Sequence, residues 1–75
     1  MDEDTKKNLI HKLSAEHASV HERFKRLDTF LLGETYETLP YEDRIDLSSQ
    51  WRYMSGYVTV LQRRIDRLNG VLIGE

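Results

Sequence analysis

The 75-residue sequence has no cysteine, one proline, one tryptophan and four glycines. Without cysteine there is no disulfide framework, no thiolate metal ligand and no thiol nucleophile. Neither sign of charge dominates, since eleven Lys and Arg face thirteen Asp and Glu for a formal net charge of -2. That balance excludes a uniformly basic nucleic-acid coat and an acidic tail. No apolar run approaches the ~18 residues of a bilayer span. Met1 to Lys7 is charged rather than secretory, so a cytoplasmic setting is expected. The length suits a single domain over residues 1–75, with no repeat or low-complexity stretch to divide it.

What is present is helical periodicity. Steps of three and four from Ile10 pass through Leu13, His17, Val20, Phe24, Leu27 and Leu31, apolar except for one histidine. The same walk in the second half meets Leu47, Trp51, Met54, Val58, Leu61, Ile65 and Leu68, apolar throughout. Leu9, Phe30 and Leu32 widen the first stripe at its ends, and Leu72 extends the second. Two heptad seams of this length predict an all-α chain folded as an antiparallel two-helix hairpin.

The end signals agree. Asp2, Glu3 and Asp4 precede the first stripe, and Glu42, Asp43 and Asp46 open the second, where negative charge meets the positive end of the helix dipole. Pro40 suits a first helical turn, and Arg63, Arg64 and Arg67 crowd the last turns. Gly70 before Val71 has the form of a left-handed cap with its hydrophobic contact. Helices are expected over about residues 4–32 and 40–69. Between them, Glu34 to Thr38 forms a short turn that tucks Tyr36 and Leu39 over the end of the hairpin.

One seam between two helices is a thin core for a small scaffold, and the sequence offers a further face. Ser49, Tyr53, Gly56 and Val60 follow one another off the main seam, and Ser14, Ala15, Ala18 and Ser19 make a small-residue surface on the first helix. Close approach through these residues would assemble the hairpin into a bundle, with a homodimer as the first expectation. A hairpin exchanging its halves between chains would give a similar dimer.

Chemistry-bearing residues are few. His17 and His21 are one turn apart, but a metal site needs a third ligand and usually a fourth, and Glu16 and Glu22 project from other faces. No metal or cofactor is therefore expected. His17 reads instead as a polar residue fixing register within the seam, where its protonation would lower stability. No Gly-rich phosphate loop, nucleophile turn or paired-acid arrangement is visible, so catalysis is not expected. Gln50, Tyr57 and Arg64 are spaced by sevens along one edge of the second helix, with Arg52, Tyr53, Arg63 and Arg67 on neighbouring faces. Such a strip fits a partner protein through Tyr and Arg contacts. It also fits a phosphate-bearing small molecule, with Arg on the phosphates and Tyr on a base. A third reading is an interhelical polar edge, Arg64 pairing with Glu16 or Glu22. The basic cluster is short and interrupted by Asp66, so nucleic acid is not an expected partner.

The second half resembles a class of short helical-hairpin proteins encoded by tailed bacteriophages and prophages. The resemblance rests on Leu39, Glu42, Asp43, Arg44, Leu47, Gln50, Met54, Tyr57, Leu61, Arg64 and Ile65, with Leu27, Phe30, Leu31 and Tyr36 matching the preceding helix end and turn. It differs from that class in its His-rich first helix and in Pro40, where a capping polar residue is more usual. The resemblance implies a phage accessory protein acting in the host bacterial cytoplasm, and it implies no catalytic residue. The leading expectation is inhibition of a bacterial host or immunity protein through Gln50, Tyr53, Tyr57, Arg63, Arg64 and Arg67. The alternatives are an oligomeric sponge for a nucleotide second messenger and a structural role in particle assembly.

Overall fold

The computed structural model describes residues 2–70. Three helices follow in order: α1 (Glu3–Leu31), α2 (Glu34–Thr38) and α3 (Tyr41–Leu68), with no strand among the described residues. The two long helices run antiparallel and pack along their seams. The expected hairpin is thus present, with its turn resolved into a five-residue helix. Leu72 and the Val71 contact expected for the cap lie outside the described residues.

Helix α1 runs 29 residues because neither Gly nor Pro interrupts it. Asp2 caps it: its side-chain Oδ1 accepts from the Thr5 amide at 2.7 Å, which satisfies a donor the helix cannot. At the far end the Leu32 and Gly33 amides donate to the Thr29 and Phe30 carbonyls at 3.2 and 3.1 Å, a tightened last turn. Tyr36 then ties the corner down. Its hydroxyl donates to the Arg44 carbonyl at 3.1 Å and its ring meets Phe30 edge-on at 6.5 Å.

Pro40 is one step outside the first turn of α3. It is the N-cap, extended at φ -54 and ψ 150, and its carbonyl accepts from the Arg44 amide at 3.1 Å. Lacking a side-chain acceptor, this end relies on Glu42 and Asp43 against the helix dipole. At the other end Gly70 has φ +81, and its amide donates to the Arg67 carbonyl at 3.1 Å. That is the left-handed cap expected there, and only a residue without Cβ takes it at no cost.

Every residue of both seams is buried or half-buried. The core is Leu13, Leu61 and Ile65 with Leu9 and Leu68 against it, near the open end of the hairpin. Leu61 is the most enclosed, at 1% exposure. Val20 and Leu27 continue the buried row along α1, while Leu47, Trp51, Met54 and Val58 of α3 are only half-covered. Trp51 is held by its indole Nε1, which donates to Asp28 at 2.9 Å, and by the Phe24 ring at 5.6 Å.

Two further sequence expectations are corrected. Leu32 does not widen the seam: it is 85% exposed, because α1 has turned away before it. His17 is half-buried rather than enclosed, stacked on His21 with ring centroids 5.5 Å apart. The fully buried residues among those described are all apolar.

Leu61→Ala should lower the unfolding free energy by about 3 kcal/mol in urea titration, since it empties the most enclosed site of a small core. The Asp2 carboxyl is held below its ordinary value of 3.8, chiefly by the hydrogen bond from the Thr5 amide. Stability from this cap is therefore complete above that value and is lost as pH falls through the lower value reached in the fold. Hydrogen exchange should show the Thr5 amide protected at neutral pH, unprotected in Asp2→Ala at any pH, and protected in the native chain through pH 3.8 before failing in stronger acid.

Candidate functional site

Two helices meeting along a single seam leave a furrow on each flank. One of these opens into a groove of about 470 Å³, lined by Glu16, Val20, Arg23 and Arg26 of α1 and by Gln50, Met54 and Tyr57 of α3. The placement follows from the heptads. Glu16 and Arg23 are seven apart on the edge of α1, as Gln50 and Tyr57 are on α3, so the antiparallel pairing sets the two edges face to face.

Val20 is buried and Met54 half-buried, which gives the groove an apolar floor. Its walls are polar and exposed. The Tyr57 hydroxyl donates to Glu16 Oε1 at 3.3 Å, linking the helices across one end. The Gln50 amide nitrogen is 3.8 Å from the Met54 sulfur, leaving its carbonyl oxygen to other partners. Two guanidinium groups against one carboxylate give the lining a positive balance of one charge. Such a surface suits a flat, anionic, partly apolar ligand: Arg supplies forked donors to phosphate or carboxylate, and Tyr and Met supply contact area.

The sequence-derived strip divides here. Gln50 and Tyr57 line the groove; Arg64 continues their edge but lies outside the lining. Tyr53, Arg63 and Arg67 are exposed on a different face of α3. There the Arg67 Nε donates to the Arg63 carbonyl at 3.4 Å, and the Arg52 guanidinium lies 5.4 Å from the Tyr53 ring centre. Glu16, one of the two partners considered for Arg64, receives the Tyr57 hydroxyl. Among the described residues no three His, Cys, Asp or Glu converge on a point, and the stacked His17 and His21 have no third ligand beside them.

Arg23 and Arg26 are the residues that reading α3 alone does not reveal. Their signal lies in α1, where Glu16 and Arg23 repeat beside the seam. A smaller depression of about 290 Å³ is lined by Ile45, Ser48, Ser49, Trp51 and Arg52, all from α3. Its walls come from one helix, so it offers no converging groups.

Removing the Tyr57 hydroxyl tests how far the groove is structural. Tyr57→Phe should cost no more than about 1 kcal/mol in urea titration, because the hydrogen bond it deletes is long and solvent-exposed.

No helix among the described residues is long and apolar enough to cross a membrane. No curated protein and no solved structure matches the chain. The family model of Sequestin matches residues 7–67, a span that takes in nearly all of both long helices and every residue lining the groove, and the chain belongs to the Sequestin family.

Proposed function

We propose that this protein works by capture rather than by chemistry, as a sponge that withdraws a phosphate-bearing small molecule of the nucleotide second-messenger class. The observation that carries the reading is the groove itself: Arg23 and Arg26 on one helix facing Gln50 and Tyr57 on the other across an apolar floor. Its volume falls within the ~300–1,000 Å³ usual for small-molecule sites. The two guanidinium groups take the phosphates as forked, charge-assisted donors. Tyr57 supplies a ring for a base to stack on, and the Gln50 amide reads a base edge. The family name, Sequestin, supports sequestration as the mode of action. In this reading the protein acts in an infected bacterial cytoplasm, which the resemblance to short phage proteins supports.

A second reading keeps a bacterial protein as the target. It is favoured by Tyr53, 69% exposed, on a face that also carries Arg63 and Arg67. Large aromatic and Arg side chains of this kind anchor protein interfaces.

Differential scanning fluorimetry with a panel of cyclic dinucleotides, cyclic oligonucleotides and ADP-ribose derivatives tests the first reading. A ligand present at about 100 times its Kd stabilises by ~2.7 kcal/mol, which in a domain this small raises the melting temperature by on the order of 10 °C. The Arg23→Ala, Arg26→Ala double variant should fold normally and lose that shift. If no member of the panel moves the melting temperature at high concentration, the sponge reading fails. The second reading is tested by Arg63→Glu on that same face, which should reduce capture of a bacterial protein while far-UV circular dichroism stays unchanged.

A further inference from the structure

Helix α3 carries a second heptad walk, distinct from the seam that binds α1. Steps of four and three run through Glu42, Asp46, Ser49, Tyr53, Gly56, Val60, Arg63 and Arg67. All but Ser49 are exposed, and Ser49 is half-buried. A side chain built at Gly56 would meet nothing within 4 Å. In the middle of an exposed helix a glycine costs about 1 kcal/mol against alanine, so its place here calls for a neighbour that the single chain does not supply.

The order of this stripe is self-complementary. Its amino-terminal half is acidic and its carboxy-terminal half basic, and the residues between alternate in size. Laid antiparallel against itself in the register that matches facing heptad positions, it sets Tyr53 over Gly56, Ser49 under Val60, Asp46 against Arg63 and Glu42 against Arg67. The two-fold axis repeats each pair, as an isologous interface requires. Large meets small in the centre, and opposite charges meet at both ends. A parallel arrangement would instead set acid beside acid and Arg beside Arg.

The surface area points the same way. The chain exposes 5860 Å², whereas a monomer of 8.9 kDa ordinarily exposes about 4,800 Å². The excess, roughly 1,000 Å², is of the size that one partner buries in a standard interface. Its radius of gyration is 16.2 Å, against about 11 Å for a compact domain of this length.

We infer that the occupant of this face is a second copy of the same chain, docked antiparallel along α3 with Tyr53 of each copy seated on Gly56 of the other. The inference is independent of what the groove binds. The proposed contact is made by α3 alone and does not draw on Ala15 and Ala18 of α1. They sit exposed among His11, Glu22 and Lys25 on the outer side of their own helix.

The test uses charge. One variant carries Glu42→Arg and Asp46→Arg, so that its stripe is basic at both ends; another carries Arg63→Asp and Arg67→Glu and is acidic at both ends. By light scattering after size exclusion, the native chain should have twice its 8.9 kDa mass, each variant alone should have the single-chain mass, and an equal mixture should regain the doubled mass. Circular dichroism on each variant confirms that the helices persist. A third variant, Gly56→Ala, should weaken association about ten-fold or more, because the added methyl meets the Tyr53 ring of the second copy. A native chain of single mass, or variants that stay double or larger on their own, would overturn the inference. So would a Gly56→Ala chain that associates as tightly as the native one.

Discussion

The antiparallel contact between α1 and α3 is the constraint on which the rest of this molecule depends. With no disulfide possible, one thin row of apolar side chains is the main support of the shape, and the few polar contacts between the helices depend on it. The seam also fixes what is not buried. Because both helices keep a strict heptad register over most of their length, each edge beside the seam is a defined row of side chains. Which residues face each other across the flanks is decided by the same register that places Leu13 against Leu61.

From that one contact two surfaces follow. The flank where Glu16 and Arg23 meet Gln50 and Tyr57 becomes a polar groove with an apolar floor. The outer face of α3 becomes a stripe whose acidic and basic halves are mutually complementary. The division of the arginines makes physical sense in these terms. Arg23 and Arg26 project into the groove, whereas Arg63 and Arg67 stand on the outer face, where their charge answers that of Glu42 and Asp46. A capture role of the kind proposed needs little more than a rigid pairing and side chains aimed from it.

Much of the fold was legible because helix periodicity, caps and breakers agreed. All fourteen seam positions read from the heptads are buried or half-buried. Gly70 takes the left-handed conformation its place beyond the last Arg cluster foretold. Details turned on local geometry that a pattern does not encode. Leu32 continues the apolar pattern but follows the helix's last turn, so it points to water. Pro40 caps α3 from outside because its extended ψ of 150 ends the loop rather than starting the helix. His17 occupies a seam position, yet it is only half-buried and its ring stacks on exposed His21. The groove was half-legible. Gln50 and Tyr57 stand out on α3, but Arg23 and Arg26 become site residues only when the two helices are placed in register, which is tertiary information.

The claim under all of this is that α1 and α3 of the same chain close on each other. The most direct measurement is an isotope-filtered nuclear Overhauser experiment on a mixture of labelled and unlabelled chains, refolded together, reading contacts between the methyl groups of Leu13 and Leu61. The account predicts that these contacts appear within labelled chains and are absent between labelled and unlabelled ones. Cross-peaks found only between chains would show that the helices have exchanged partners, and would contradict it.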